Sequence, residues 1–245
     1  ILCEKPVDLS LGRAKECLNK VSATNNPIMI GFNRRFDPNF AQLKKSLTDN
    51  EIGKSELLTI TSFDPAPPPI SYVKTSGGLY RDMMIHDFDL SNFIMDELPI
   101  TISAVGQSLI NPEIGAAGDV DTAVVTMIYA DGKIAVIKNS RRAAYGYDQR
   151  VEILGSEGLL QAENIVENSV VKSTSSGVLS AKPKYFFLER YMSAYKAEWD
   201  AFIKSLKENT IVPVTLVDGV AALAMAEAAT LSQSSGKSIQ LTEVL

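Results

Sequence analysis

The residues best suited to chemistry are one histidine and two carboxylates on a single predicted helix, residues 79–95. His86 is the only histidine in the chain. Asp82 precedes it by four residues and Asp89 follows it by three, so on a helix the three side chains lie near one face. Apolar residues cover most of the remaining helix surface, which predicts burial, and buried polar groups need partners or a polar cavity. A pocket wall, a core histidine bonded to Asp82 and an ion pair on the helix surface all remain consistent with this pattern.

A histidine beside a carboxylate can act as a general base near neutral pH, with the carboxylate orienting the imidazole. Lys5 is a candidate cation for the same site, because it ends a predicted parallel strand and ligands of open α/β sheets bind at the carboxyl ends of strands. As an isolated tripeptide, Glu4-Lys5-Pro6 favours an exposed surface over a site. The chain has one histidine and no cysteine pair at ligand spacing, so no transition-metal site is predicted.

The elements that carry Lys5 read as strand, helix, strand, helix over residues 1–52. The short apolar run of residues 28–30 is typical of a strand in a covered parallel sheet. The first helix begins after the cap residues 8–10 and is expected to stop at 25–27, and Asp37-Pro38 starts the second. The pattern is that of half a parallel sheet cut open at residue 1. Because a buried strand rarely begins at a free terminus, we expect further chain before it.

Residues 53–245 read as a second, α+β domain. Strands are predicted at 55–63, 100–109, 120–130, 133–140, 148–154, 158–163 and 165–172. The turns Asp131-Gly132 and Gly155-Ser156-Glu157-Gly158 predict hairpins, and therefore a large open antiparallel sheet. Helices at 79–95, 188–208 and 216–235 are expected to cover it, and the proline-rich loop 64–72 is expected to border the pocket.

Composition excludes several classes of protein. The chain carries 24 basic and 29 acidic residues without a basic cluster, so no nucleic-acid partner is expected. No apolar run approaches the roughly 20 residues that span a bilayer, so no membrane partner is expected either. Cys3 and Cys17 lie in apolar surroundings, which favours reduced thiols in a cytoplasmic protein.

Four motifs in this order resemble the glucose–fructose oxidoreductase/inositol dehydrogenase (Gfo/Idh/MocA) family. They are Glu4-Lys5-Pro6 after an apolar strand, the stretch 31–37, Gly77-Gly78 before Asp82-x-x-x-His86, and the stretch 141–150. The stretches 84–89 and 141–150 are similar to the myo-inositol 2-dehydrogenase branch in particular. The resemblance covers essentially the whole chain.

The resemblance implies an N-terminal Rossmann domain that binds NAD and a sheet domain that binds a polyol and often builds a tetramer. It implies that Lys5 contacts both nicotinamide and substrate, with Glu4 and Pro6 on the cofactor side and Pro6 in a cis peptide. Asp82 would anchor the substrate and His86 would be the general base. Tyr145 would close the polyol site, while Arg35 and Asp89 complete the expected substrate-binding set.

The implied activity is oxidation of a polyol hydroxyl, with myo-inositol giving 2-keto-myo-inositol. The Gly-x-Gly-x-x-Gly phosphate-binding fingerprint is not found in these residues, so we expect it upstream and expect the fragment alone to be inactive. The preference for NAD follows from the branch and does not exclude NADP. A dehydrogenase for another sugar or polyol, or a non-catalytic oligomerisation module, stays an alternative.

Overall fold

The computed structural model describes residues 1–24 and 26–245, and it opens with a small α/β unit. Strands β1 (Leu2–Glu4) and β2 (Met29–Gly31) pair in parallel. Helix α1 (Leu11–Ser22) connects them, and α2 (Pro38–Thr48) follows a short 3₁₀ helix (Asn33–Phe36). Strand, helix, strand and helix thus occur in the predicted order. Of the predicted stop at 25–27, Asn25 lies outside the described residues.

The caps of these two helices explain why they start where they do. The Ser10 side chain accepts a hydrogen bond from the backbone N–H of Arg13 at the start of α1. Asp37 accepts from the N–H of Asn39 at 3.0 Å, and Pro38 occupies the first helical position of α2. A cap acceptor followed by proline satisfies one N–H and dispenses with another.

The centre of the molecule, as far as it is described, is a sheet of seven strands. The strands that follow the α/β unit are β3 (Ser55–Phe63), β4 (Thr101–Gln107), β5 (Thr122–Ile128), β6 (Ile134–Ser140), β7 (Asp148–Gly155), β8 (Gly158–Ala162), β9 (Val171–Thr174), β10 (Gly177–Ser180) and β11 (Ile239–Gln240), and all but β9 and β10 belong to this sheet. The sheet runs in the order β11-β4-β5-β6-β3-β7-β8. Both predicted hairpins are present, since β5 pairs with β6 and β7 with β8 in antiparallel register.

Two strand predictions need correction. The sheet is mixed, because β3 inserts between β6 and β7 and runs parallel to β6. Turn residues specify only pairs of strands that follow each other in sequence, so this long-range pairing left no local signal. The predicted strand 165–172 does not form as one strand. Val166 makes an isolated bridge to Pro183, and the last two predicted residues begin β9, which pairs with β10 in a separate exposed ribbon.

Helices bury one face of the large sheet and leave side chains exposed on the other. The helices that follow α2 along the chain are α3 (Ile70–Val73), α4 (Leu79–Asp82), α5 (Ile85–Met95), α6 (Pro112–Ala116), α7 (Phe187–Glu208) and α8 (Leu216–Ser235). Helix α8 packs on β4, on α5 and on α1, so its small alanine side chains join the sheet to the α/β unit. None of the helices in the described part of the chain is long and apolar enough to cross a bilayer.

The predicted continuous helix 79–95 is broken between α4 and α5. The N–H of Met84 bonds to the carbonyl of Leu79, five residues back, and the N–H of His86 bonds to that of Met83. Hydrogen bonds that span five or three residues instead of four interrupt the i→i−4 ladder and turn the chain at this point. The break separates Asp82 from His86, although their spacing had placed them on one helix.

Candidate functional site

An open cavity of about 910 Å³ lies beside the carboxyl ends of β1 and β2. The α/β unit forms one wall, and α4, α5, the proline-rich loop and the start of α7 form the others. Its lining comprises Glu4, Lys5, Gly31, Asn33, Arg34, Asp64 to Pro69, Tyr72, Asp82, Met83, His86, Arg141, Tyr147, Tyr185 to Phe187, Tyr191 and Tyr195. The expectation that loop 64–72 borders the pocket is confirmed for Asp64 to Pro69 and Tyr72.

Lys5 enters this cavity from the end of β1. Its peptide bond to Pro6 is cis, as expected. The ammonium donates a hydrogen bond to the main-chain carbonyl of Asp82 at 2.5 Å and lies 3.5 Å from Asp82 Oδ1. Burial lowers the pKa of Lys5, and the Asp82 carboxylate opposes that shift. Lys5 is therefore a desolvated cation held by one acidic residue.

The Asp82 carboxylate, at the end of α4, has three partners. Tyr72 Oη donates to Oδ1 at 2.7 Å, and Arg141 donates to Oδ2 at 3.2 Å. Lys5 is the third. The Asp82 side chain is 13% exposed, and its cationic partners offset its charge, so the carboxylate is held in one orientation while still lining the cavity.

The glycine pair before α4 has a local cause. Gly77 and Gly78 both adopt positive φ, +87° and +84°, which L side chains rarely adopt. Asp119 caps the helix by accepting from the N–H of Leu79 at 2.9 Å. A Cβ on Gly78 would approach Asp119 Oδ1 to 2.8 Å. Glycine thus lets Asp119 cap the helix that presents Asp82.

His86 is the second residue of α5 and is only partly exposed. Its Nδ1 is buried and has no hydrogen-bond partner within residues 1–24 and 26–245, and its ring lies edge-on to Phe32 at 6.0 Å between centroids. The expected pairing with Asp82 is therefore not made, because the break after α4 turns Asp82 toward Lys5 and Arg141. Burial, followed by the charges of Lys5 and Arg34, lowers the pKa of His86 well below its ordinary value. The imidazole is therefore neutral at neutral pH and can accept a proton.

The two neighbouring arginines have different surroundings. Arg34 lines the cavity and forms a buried ion pair with Asp87. Arg35 instead points behind the cavity, where its guanidinium bonds Asp89 and Asp218. Arg35 and Asp89, both predicted to bind substrate, pair with each other and are not among the residues that line the cavity. Consecutive residues of a 3₁₀ helix diverge by about 120° around its axis, which explains why only the first arginine faces the cavity.

Tyr145 also lies elsewhere than expected. It is 46% exposed, and its hydroxyl donates to Asp148 Oδ2 at 2.5 Å. Tyr147 is 7% exposed and lines the cavity. Gly146 between them packs so closely on Pro183 that a Cβ would come within 2.8 Å of its carbonyl oxygen. That contact fixes the turn, with Tyr147 inward and Tyr145 outward.

Two polar groups of the cavity were not assigned from the sequence. Asp64 begins the proline-rich loop, and burial raises its pKa to about 6, with Arg141 and Arg34 opposing. Arg141 is nearly fully buried and reaches Asp82. An aspartate before a run of prolines was the available signal for Asp64. For Arg141, the pair Arg141-Arg142 gave no means of choosing the buried member.

Chemically, the cavity combines an unprotonated imidazole, a desolvated ammonium and carboxylates above an aromatic rim. Such a set can bind several hydroxyl groups and remove a proton from one of them. In the described part of the chain, no three histidine, cysteine, aspartate or glutamate side chains converge as metal ligands would.

Comparison with known proteins agrees with this architecture. Residues 44–241 match the family model described as "Oxidoreductase family, C-terminal alpha/beta domain". An inositol 2-dehydrogenase of Rhizobium meliloti (strain 1021) is 45% identical over 241 residues, which are 98% of this chain and 73% of that protein.

Two solved structures extend the comparison. A probable dehydrogenase from Thermotoga maritima superposes with a TM-score of 0.97 at 44% identity, covering 100% of this chain and 73% of that one. A scyllo-inositol dehydrogenase from Lactobacillus casei with bound NAD(H) and scyllo-inositol gives 0.90 at 29% identity, covering 98% and 73%. The chain therefore belongs to the Gfo/Idh/MocA oxidoreductase family.

Proposed function

We propose that the protein oxidises one hydroxyl of a cyclic polyol to a ketone with NAD as the hydride acceptor, and that myo-inositol is the polyol and 2-keto-myo-inositol the product. The observation that carries this proposal is the convergence of Lys5, Asp82 and His86 on one cavity at the carboxyl ends of two parallel strands. The relatives named for inositol oxidation support the choice of substrate.

The residues present fit the nicotinamide end of such a cofactor. Gly31 leaves the end of β2 open, since a Cβ there would come within 3.0 Å of the Glu4 carboxylate. Glu4 and Lys5 line the cavity beside it. The bound nicotinamide would supply the acceptor for the hydride that leaves the polyol carbon. A relative of known structure holds NAD(H) together with its inositol.

His86 removes the hydroxyl proton. Its low pKa keeps the imidazole neutral, and a neutral imidazole accepts a proton where an imidazolium cannot. As the hydroxyl O–H bond breaks, negative charge develops on the oxygen. The Lys5 ammonium, partly desolvated by burial, stabilises that charge.

Asp82 and Asp64 hold the other hydroxyl groups of the ring. Asp82 is oriented by Tyr72 and Arg141 and can accept from a substrate hydroxyl with its remaining lone pairs. The aromatic side chains Tyr185 to Phe187 cover the apolar faces of the ring and limit access of water. The cavity thus presents one reacting position and several anchoring ones.

The test is NADH production by the full-length protein with myo-inositol, compared with a panel of other polyols and with NADP. We expect turnover with NAD, and we expect His86→Gln to lower kcat by a factor of about 10² to 10⁴, the usual contribution of a general base. Binding of NADH, followed by its fluorescence, should be retained in this variant.

Two results would reject parts of the proposal. Near-normal turnover in His86→Gln removes the base assignment but leaves the activity. No turnover with any polyol and either cofactor removes the activity itself.

A further inference from the structure

We infer that Arg35, Asp89 and Asp218 form a positioning bridge that sets His86 against Lys5 during hydride and proton transfer. This inference rests on the proposed function, and it assigns these residues a role that is distinct from substrate binding. These three residues constitute the Arg35 bridge.

The contacts of the bridge are close and numerous. Arg35 Nε donates to Asp89 Oδ2 at 2.9 Å, and a terminal nitrogen donates to Asp89 Oδ1 at 2.6 Å. The same nitrogen donates to Asp218 Oδ1 at 3.0 Å. The fork-to-fork pairing of a guanidinium and a carboxylate fixes orientation as well as distance.

The bridge joins three parts of the fold. Arg35 lies just after β2, in the α/β unit whose other strand ends immediately before Lys5. Asp89 lies one turn after His86 on α5. Asp218 completes the capping box at the start of α8, where it accepts from the N–H of Thr215 at 2.6 Å. The bridge therefore ties the helix of the base to the strand pair of the cation.

Burial makes these contacts hard to replace by water. Asp89 is 1% exposed and the Arg35 side chain 11%. A carboxylate buried to this extent needs its partner, because the loss of one member leaves an uncompensated charge. The face of α5 that carries Asp89 is therefore held in one rotation about the helix axis.

The rotation of α5 matters because of the lever arm from its axis to the imidazole. A side chain at roughly 6 Å from the axis moves about 1 Å for each 10° of helix roll. A misplacement of about 1 Å can cost a factor of about 10² in rate. The Arg35 bridge lies outside the cavity lining, so its loss should alter the geometry of His86 without removing a substrate contact.

A second carboxylate on the same helix does not supply a clean test. Asp87 pairs with Arg34 and also accepts from Ser62 and Asn139. Arg34 lines the cavity, so its substitution would disturb binding and positioning together. Arg35 separates the two effects.

The experiment compares Arg35→Lys, Asp218→Asn and a matched control in the full-length protein. Lysine keeps the charge of Arg35 but cannot form the bidentate hydrogen bonds that the guanidinium makes with a carboxylate. Lys44→Gln is the control, because Lys44 pairs with Asp96 just beyond the far end of α5 and lies over the same Phe93 ring as Arg35.

Arg35→Lys should lower kcat for the polyol about 10- to 100-fold, with KM within about twofold of the unsubstituted value. Asp218→Asn should have a smaller effect in the same direction, and Lys44→Gln should leave kcat unchanged.

A spectroscopic measurement separates this inference from the proposed activity. The imidazole NMR signals of His86, assigned by their loss in His86→Gln, should shift in Arg35→Lys and stay in place in Lys44→Gln. Unchanged kcat and unchanged signals in Arg35→Lys would overturn the bridge. A raised KM with kcat preserved would also overturn it, and would return Arg35 to substrate binding. If the unsubstituted protein oxidises no polyol, the proposed function fails, and the NMR signals alone decide on the bridge.

Discussion

Tyr145 and Tyr147 differ in accessibility although one glycine separates them. Tyr147 lines the cavity, whereas Tyr145 bonds Asp148 at the surface. Tyr147→Phe should raise KM for the polyol about 2- to 10-fold, equivalent to the loss of one hydrogen bond of about 0.5–1.5 kcal/mol. Tyr145→Phe is the matched control and should leave KM within about twofold. Steady-state kinetics of both variants with the same polyol checks this, and the opposite ranking would restore Tyr145 to the site.

The cavity residues differ in whether the sequence alone could place them there. Lys5, Asp82 and His86 could be placed at one cavity because each residue type is distinctive in its motif. The choices between Arg34 and Arg35, and between Tyr145 and Tyr147, could not be made. Moving one residue along a 3₁₀ helix, or two residues along an irregular turn, changes the side of the chain on which a side chain lies. Only the packing of the neighbouring chain decides such choices.

At the scale of elements, close packing of α8 on the α/β unit can be tested at Gly219. A Cβ there would meet Val7 Cγ2 at 2.7 Å and Ile30 Cγ1 at 3.2 Å. Alanine gains about 1 kcal/mol of helix propensity over glycine, but overpacking costs about 1–3 kcal/mol. We therefore expect Gly219→Ala to lower the free energy of unfolding by up to about 2 kcal/mol.

Gly12 in α1 provides the matched control, because a Cβ there would meet only Ser10 Oγ, at 3.8 Å. Gly12→Ala should gain up to about 1 kcal/mol, since the propensity term acts without a clash. Urea unfolding of both variants measures the pair of effects. Stabilisation by Gly219→Ala would mean that α8 sits farther from β1 and β2 than these contacts indicate.

Elements with local signals were predictable and long-range pairings were not. Helix α8 has the predicted limits, residues 216–235, because its cap and its apolar run are both local. The hairpins β5–β6 and β7–β8 likewise followed from their turns. The parallel pairing of β3 with β6 joins segments about 75 residues apart, and no turn residue encodes such a pairing. The break between α4 and α5 was missed because the residues around it, Met83 and Met84, are good helix formers.

At the scale of the whole molecule, three acidic groups meet where α7 crosses the start of the chain. Glu198 on α7 is 3% exposed, and its Oε1 lacks a hydrogen-bond partner among the residues that the structure describes. Burial raises the pKa of Glu198 to about 8, with the charges of Glu4 and Asp89 adding to the shift. The folded protein therefore holds a proton on Glu198 at neutral pH, which the unfolded chain releases near pH 4.5.

This difference sets the sign of a pH effect. Between about pH 4.5 and 8 the folded state binds more protons at Glu198 than the unfolded state, so this group makes stability fall as pH rises through that window. The slope cannot exceed about 1.4 kcal/mol per pH unit for one group. Glu198→Gln removes the proton linkage, so the stability of the variant relative to the unsubstituted protein should increase from pH 5 to 8 and then level off.

Melting temperatures of the full-length protein across pH 5–9 measure this effect. Glu208→Gln, at the exposed end of the same helix, is the control and should give a nearly constant difference from the unsubstituted protein. The pH dependence is the informative quantity, because a buried glutamine can add a constant loss of its own through unsatisfied donors. A difference for Glu198→Gln that also stays constant with pH would mean that Glu198 is ionised in the folded protein. The junction of α7 with β1 would then have to contain a cationic partner for it.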